Sequence, residues 1–450
     1  ALALGCGGAE AEPPPTLEFE TQPSCAAADA SCLNADTTTL DVDGVRVIHK
    51  RLPGHPLVAF RIGFDAPAGS SYQRWAETLA FTLYEFGGPS WMSAAEWDAE
   101  QLRLGANVNA SNGLDYGTIS ASVPAANWLE MWALTIEGIS AHRNYTWELA
   151  NMLDVYRRSF ESERDDPDAA ASIDAWSRLF DAQPYNYQRE HAEVLTLMST
   201  LDIDGAWDTL SAGERWLVTV VGDVSVDEVR SAVSNGLGRV GLHSPTWLFG
   251  PDAAPEPANI PSIRVLAYPE APTWYIRGFF KGPSGSSPDF AALQLGVKVL
   301  DQRLFQEVRD VRGLAYTTGA SLSFYRESFG SVWITSESPL EALEVSRSVL
   351  ADLKAQGPTE AELAAARRSL LTELLSDSDT PSGIASTLAD WELTAGSREA
   401  LDDYLAGLEQ TTPQQVASVL DTYLRNEQIA AAGGGSELSI LDLQGWLVSP

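Results

Sequence analysis

A pattern that occurs twice, about half a chain apart, most strongly constrains how these 450 residues fold. The pattern F-x-x-P-x-G-S-S runs from Phe64 to Ser71 and again, 216 residues later, from Phe280 to Ser287. A run typical of a β-strand precedes each copy, and an apolar run typical of a helix follows it. Repetition in this order indicates a chain built from two copies of one structural unit.

Three further landmarks recur in the same order, namely a glycine between a helix and a strand, the return strand of a hairpin, and a late buried strand (Gly105 and Gly313; Tyr116–Ile119 and Phe329–Val332; Trp216–Val221 and Ile429–Ala432). We therefore predict an α+β fold with two homologous domains, each a mainly antiparallel sheet packed against helices. The predicted segments are a tail over 1–37, a first domain over 38–240, a Pro-rich linker over 241–261 and a second domain over 262–450.

Local signals predict individual elements within each domain. In the first, β runs at Leu40–Leu52 and Leu57–Phe64 precede an apolar helix, and Ser93 with Glu96 forms a capping box for the next helix. In the second, Thr359 and Glu362 repeat the capping-box signature. A helix at Leu300–Arg309 should pass through Gly313 into a strand at Leu314–Phe324, which would hold Tyr316.

The tail resembles the end of a bacterial lipoprotein signal, because small and apolar residues lead to Cys6. Lipidation of Cys6 would anchor the protein in the cell envelope; the alternative is a chance cysteine in an Ala-rich leader. Residues 7–37 are rich in Ala, Pro, Glu and Thr and predict a flexible tether. We expect Cys25 and Cys32 to form a disulfide in an oxidising compartment. The chain begins without Met, so we expect the true N-terminus to lie upstream.

Composition excludes several classes of function. A net charge of −33 repels nucleic acid and anionic lipid, although it is also typical of a salt-tolerant surface. No run reaches the roughly 18 apolar residues of a membrane helix. The five histidines do not cluster with the spacing of a zinc site, and neither a phosphate-binding loop nor a G-x-S-x-G elbow is present.

Several motifs, taken in order, resemble the M16 metallopeptidase family. They are the glycines after Phe86, the helix ending at Leu104–Ala110, the run Val220–Val224, and the helix Leu304–Arg309 followed by Gly313–Tyr316. The resemblance covers roughly residues 38–445. It implies a paired peptidase of the kind that includes the mitochondrial processing peptidases and the core proteins of the cytochrome bc1 complex.

Active members of that family carry an H-x-x-E-H zinc motif, whose positions correspond here to Leu79, Thr82 and Leu83. The more distal zinc ligand should lie near Arg157–Phe160, which holds no carboxylate, although Glu161 and Glu163 are close. The resemblance therefore implies a chain without a zinc site of its own, with zinc in a partner subunit.

The family's second halves supply an Arg and a Tyr to the partner's zinc site, and Arg309 and Tyr316 occupy those positions here. A Tyr hydroxyl can donate to a developing oxyanion, and a guanidinium can hold a carbonyl with two fixed donors. A structural interpretation stays open, since an Arg suits a helix C-terminus and a Tyr suits a strand. Arg312 fits a solvated or interface charge.

The resemblance also implies that peptide substrate adds to the edge of a sheet, a mode that depends on main-chain hydrogen bonds. The candidate edge is the strand Gly105–Gly113, whose polar residues Asn107, Asn109 and Ser111 would contact the peptide. An ordinary edge strand protected by polar residues is the alternative.

Three functions follow. The first is a zinc-free subunit of a heterodimeric M16-type peptidase, active only with an H-x-x-E-H-bearing partner. The second is a structural or peptide-binding envelope lipoprotein that keeps the fold without proteolysis. The third is a self-paired, catalytically silent lipoprotein that binds peptides in its chamber.

Overall fold

The computed structural model describes residues 30–65, 71–141, 146–180, 185, 194–211, 216–240, 260–434 and 438–446. Within these residues the chain forms two mixed sheets, of six and five strands. The strands of the first sheet are β1 (Thr37–Val42), β2 (Val45–Arg51), β3 (Leu57–Asp65), β4 (Asn107–Asn112), β5 (Tyr116–Pro124) and β6 (Trp216–Gly222). Those of the second are β7 (Ser262–Ala267), β8 (Trp274–Lys281), β9 (Thr317–Leu322), β10 (Phe329–Ser336) and β11 (Gln428–Gly433).

The two sheets share one topology. The first has the order β1-β2-β6-β3-β5-β4 and the second β7-β11-β8-β10-β9. In each, one pair is parallel, β2 with β6 and β7 with β11, and every other pair is antiparallel. The repeat in the sequence is thus a repeat in the fold, and the predicted fold class is confirmed.

The first sheet has an additional strand, because the predicted run Leu40–Leu52 is two strands. Asp43 and Gly44 both have positive φ, 52° and 86°, and turn the chain between β1 and β2. A β-branched run with such a turn inside it forms a hairpin rather than one long strand. The predicted β run at Leu40–Leu52 is therefore a hairpin rather than one strand.

Helices flank both sheets, and none of those described is long and apolar enough to cross a membrane. In the first half they are α1 (Ser71–Gly87), α2 (Ala94–Leu104), α3 (Trp128–Ser140), α4 (Thr146–Asp165), α5 (Pro167–Leu179), α6 (Thr200–Ser211) and α7 (Val226–Val240). In the second they are α8 (Phe290–Leu304), α9 (Pro339–Gln356), α10 (Glu360–Asp377), α11 (Pro381–Ala395), α12 (Ala400–Gln410), α13 (Pro413–Tyr423) and α14 (Ile440–Leu443). Both predicted capping boxes are present, at Ser93–Glu96 and Thr359–Glu362.

One helix of each half packs on the sheet of the other half. Helix α5 packs on β8 and β11 of the second sheet, and α11 packs on β3 and β6 of the first. Because both faces of the sheets are covered, all residues of β6 and of β11 are buried. The close approach of α5 is made by small residues, Ala171 and Ala175 against Ala430 and Ala432.

A buried carboxyl group next to β11 gives a prediction for stability against pH. Glu427 is 0% exposed, and within the described chain neither of its carboxylate oxygens has a hydrogen-bond partner. Burial raises the pKa of Glu427 to about 8, although the charge of Lys354 opposes that shift. The unfolded chain therefore releases this proton at lower pH than the folded chain, so stability is lost as pH rises from about 4.5 towards 8.

The check is urea unfolding of the wild type and of Glu427→Gln at pH 5 and pH 8.5. Because Gln cannot ionise, the free energy of unfolding of Glu427→Gln should fall less between pH 5 and pH 8.5 than that of the wild type, which should lose roughly a few kcal/mol. The control is Glu360→Gln, at the exposed start of α10, which should leave the pH dependence as in the wild type. Identical pH dependence in the wild type and Glu427→Gln would contradict the assignment.

Candidate functional site

The segment that holds Arg309 begins with an irregular helical turn. Helix α8 continues without a break into a π-helical turn at Phe305–Val311. The helical segment therefore ends at Val311, two residues beyond the predicted end at Arg309. Val308 anchors this turn in the core and is 0% exposed. Turns of this kind carry one extra residue and are frequent at functional sites, because the insertion redirects the side chains around it.

After this turn, the chain enters its next strand later than predicted. Gly313 has a φ of 63°, and its N–H donates to Arg309 O at 2.9 Å. Strand β9 begins only at Thr317, so Tyr316 does not lie on a strand. The Tyr316 N–H donates to Thr335 O at 2.8 Å. In the pairing of β9 with β10, however, the residue opposite Thr335 is Thr317.

Two consecutive residues, Tyr316 and Thr317, therefore oppose the single residue Thr335, which is the arrangement of a β-bulge. An extra residue of this kind breaks the alternation of side chains along a strand and can re-aim one of them. This is the physical reason why the prediction of a regular strand at Leu314–Phe324 was wrong at its start.

The two candidate donor side chains are open to solvent. Tyr316 is 81% exposed, and the Arg309 guanidinium lies 4.9 Å from the centre of the Phe305 ring. Within the described residues, neither the Tyr316 hydroxyl nor the Arg309 guanidinium has a hydrogen-bond partner. Arg312, by contrast, is ion-paired with Glu307. A fixed backbone thus presents two unused donors to a ligand or to another chain.

A cavity of about 610 Å³ reaches this segment at Thr317. It lies between α5 of the first half and strands β8, β9 and β10 of the second. Its lining includes the ion pair of Arg277 with Asp168, together with the Trp333 side chain. Space for a side chain of a bound molecule is therefore present beside the residue that follows Tyr316.

The positions of the H-x-x-E-H zinc motif lie on α1 and are part of the packing. Leu79 and Leu83 are each 0% exposed and belong to the core of the first half. Thr82 donates its hydroxyl to Thr78 O at 2.7 Å, within the same helix. These side chains offer no ligand set for zinc.

The region of the distal zinc ligand is aromatic. Phe160 and Tyr156 on α4 each lie 5.4 Å from the Trp75 ring on α1, measured between ring centres. Arg157 and Arg158 turn away and pair with Asp154. Across the described residues, no group of three or more His, Cys, Asp or Glu could hold a metal ion.

The candidate substrate strand is the outer strand of the first sheet, because β4 is last in the strand order. Along β4, Asn107, Asn109 and Ser111 are exposed and alternate with the buried Val108 and Ala110. The structure thus brings the three predicted contact residues to one open face. Their role in binding stays a prediction.

Sequence reasoning missed Arg74, which fixes the far end of β4. Arg74 is 1% exposed, pairs with Glu77 at 3.1 Å, and donates to the carbonyl oxygens of Gly113 and Leu114. Asn112 Nδ2 reaches Thr78 Oγ1 at 3.2 Å beside it. The sequence signal for this role was Arg74 itself, which lies one helical turn before the apolar face of α1.

A second group that sequence reasoning missed joins the hairpin turns of the two halves. Asp115 follows β4, and its carboxylate accepts the Tyr185 hydroxyl and, at 2.8 Å, the N–H of Arg326 before β10. Burial raises the pKa of Asp115, while these hydrogen bonds oppose the shift. The outer strands β4 and β9 are therefore held in a fixed relation to each other.

The predicted tail residues lie mostly outside the described chain. Cys32 is disulfide-bonded and lies in a short 3₁₀ turn at Ala30–Leu33. Cys25, its predicted partner, and Cys6, the predicted lipidation site, lie outside the described residues. Both therefore stay predictions.

Residues 207–370 match the family described as the peptidase M16 inactive domain. The chain is 34% identical, over 146 residues, to an uncharacterized zinc protease of Mycobacterium tuberculosis. That alignment covers 31% of this chain and 33% of the relative, so the chain spans about a third of the length of the curated relatives it matches.

Two solved structures show the fold. The peptidase M16 inactive domain from Pseudomonas fluorescens has a TM-score of 0.76 at 19% identity, covering 90% of this chain and 98% of that one. The periplasmic protease PqqL from Escherichia coli has a TM-score of 0.74 at 16% identity, covering 88% of this chain and 45% of that one. Residues 207–370 therefore match the peptidase M16 inactive domain in sequence, and most of the chain has the fold of the solved M16 inactive domain.

Proposed function

We propose that this chain is the zinc-free subunit of a heterodimeric M16-type peptidase and supplies Arg309 and Tyr316, in trans, to the zinc site of its partner. The observation that carries the proposal is the exposure of both side chains on a backbone held by the π-helical turn and the bulge. The apolar packing at Leu79 and Leu83 supports it, since such a chain needs another subunit for the metal.

The chemistry assigned to this chain is donation of hydrogen bonds. The partner's zinc would supply the activated water for peptide hydrolysis. The Tyr316 hydroxyl donates to the substrate carbonyl oxygen as that oxygen gains negative charge. The Arg309 guanidinium binds a neighbouring peptide carbonyl with two N–H groups and fixes the register of the chain. Both groups act as hydrogen-bond donors.

The substrate we propose is an extended peptide that lies along β4. Its open face carries uncharged polar residues, so main-chain hydrogen bonds would provide most of the binding. The net charge of −33 would favour peptides of positive charge. We also propose an envelope location with a lipid anchor at Cys6, on the strength of the signal-like sequence before it.

The experiment that tests this function is reconstitution. The chain is mixed with an M16 chain that has an intact H-x-x-E-H motif, encoded beside it, and a quenched fluorescent peptide reports cleavage. We expect a one-to-one complex by light scattering and cleavage only in the mixture. Equal cleavage by the partner alone, or no complex, would overturn the proposal.

A second function, peptide binding without proteolysis, is favoured by one observation. Among the described residues, β4 is an outer strand with no further strand paired to it, whereas Tyr316 and Arg309 need a partner to act. On this alternative the mixture would form a stable complex that binds peptide and leaves it intact.

A further inference from the structure

The four outer strands of the two sheets are protected to different degrees. Arg398 reaches β1 and donates to Thr37 O at 3.4 Å and to Thr39 Oγ1 at 3.1 Å. Helices α5 and α14 pack against β7, whose Arg264 pairs with Asp174 at 3.0 Å. Charged groups and helices of this kind prevent another strand from adding to an edge.

Strand β9 is protected by a carboxylate. The N–H of Ala320 points away from the sheet and donates to Asp301 Oδ1 of α8 at 3.0 Å. A Cβ at Gly319 would lie 2.5 Å from the same oxygen, so the glycine makes room for it. A carboxylate acceptor makes a stronger hydrogen bond than a neutral one, and a strand that approached β9 would have to displace it.

Strand β4 has weaker protection. Its six residues, NVNASN, include neither a charge nor a proline. The N–H of Val108 points outward and donates to the neutral Gln101 amide, Oε1, at 3.0 Å. Backbone groups alternate along an outer strand, so the N–H and C=O groups of Ala110 and Asn112 point to the same outer side of the sheet as the Val108 N–H.

We propose that Gln101 is a removable cap on β4, and that an extended peptide of about the length of this strand adds here by taking the Val108 N–H from the Gln101 amide. In the free chain the cap satisfies the donor and discourages pairing between copies. When a peptide binds, a main-chain carbonyl replaces Gln101 and the amide turns to solvent. The role of that peptide as a substrate rests on the proposed function.

The test uses the lone chain and a fluorescein-labelled decapeptide of alternating Thr and Lys, with anisotropy measured at about 0.15 M salt to limit non-specific attraction. Gln101→Met keeps the length of the side chain and removes the acceptor. We expect it to lower the Kd by about three- to tenfold, the range given by the net strength of one hydrogen bond.

Two controls decide the outcome. The same peptide N-methylated at every residue has unchanged charge but lacks backbone N–H groups on both edges, and it should not bind. Hydrogen exchange should show faster exchange of Val108 in free Gln101→Met, and slower exchange of Val108, Ala110 and Asn112 in the wild type with peptide. A Kd for Gln101→Met within twofold of the wild type, equal binding of the methylated peptide, or no protection on β4 would overturn the proposal.

These results are independent of the reconstitution experiment. The lone chain binds the decapeptide through β4, so this measurement needs no partner subunit. Edge binding without cleavage in the mixture would contradict the proposed function alone. Cleavage in the mixture without protection of β4 would contradict the cap alone.

Discussion

Tyr316→Phe is expected to lower the kcat of the reconstituted peptidase by about 10²–10³, the usual effect of removing one donor to a developing oxyanion. The substitution removes a single oxygen atom from a side chain that is 81% exposed, so the folded chain should keep its stability. Assembly should also be kept, because the aromatic ring stays in place. The measurement is kcat with the quenched peptide, together with the molar mass of the complex.

Arg309→Lys completes this test, because it keeps the charge and loses the planar pair of donors. We expect a fall in kcat/KM with the complex intact. Arg312→Lys is the matched control, since Arg312 lies three residues away and is already ion-paired with Glu307. If both Tyr316→Phe and Arg309→Lys retain wild-type turnover, this segment does not act in trans.

Restoring the zinc motif in this chain is expected to fail. The triple change Leu79→His, Thr82→Glu and Leu83→His places polar groups where two fully buried leucines pack. Each buried polar group without a partner costs about 1–3 kcal/mol, and lost packing adds to that cost. We expect the free energy of unfolding to fall by about 3–6 kcal/mol in total. Urea unfolding and the zinc content of the purified variant give the measurement.

The control for this experiment keeps the volume and the apolar character of the same sites. Leu79→Met with Leu83→Met should cost less than about 1.5 kcal/mol for each substitution. A stable triple variant that binds one zinc ion per chain would show that the site needs only its ligands. It would also show that the apolar packing of α1 does not exclude the metal.

Features that depend on neighbouring residues could be predicted from the sequence. The capping boxes at Ser93 and Thr359 could be predicted because their hydrogen bonds join residues within one helical turn of each other. The repeat predicted two equivalent sheets, since the same landmarks occur in the same order. Helix α5 was missed although Asp166 and Pro167 form a strong start signal, with the Asp166 side chain accepting from Asp168 N and Ala169 N.

Features that depend on distant contacts could not be predicted. The exposure of Tyr316 results from a bulge opposite Thr335, and a pattern of apolar residues does not reveal which amide pairs with which carbonyl. The cap of Gln101 on Val108 likewise depends on how α2 lies against β4. The positions of Arg309 and Tyr316 came from a resemblance, and the structure adds how they are presented.

The exchange of α5 and α11 between the halves has a consequence for how the chain is made. During synthesis the first sheet emerges with Ile48, Leu217 and Val221 uncovered on one face, and the residues that cover them in the core belong to Ile384–Leu393. About 160 further residues must follow before that cover exists. The nascent first half therefore exposes apolar surface and should need chaperones until the second half has been made. A chain truncated within residues 241–261 would keep this surface exposed and should aggregate rather than work as a smaller protein.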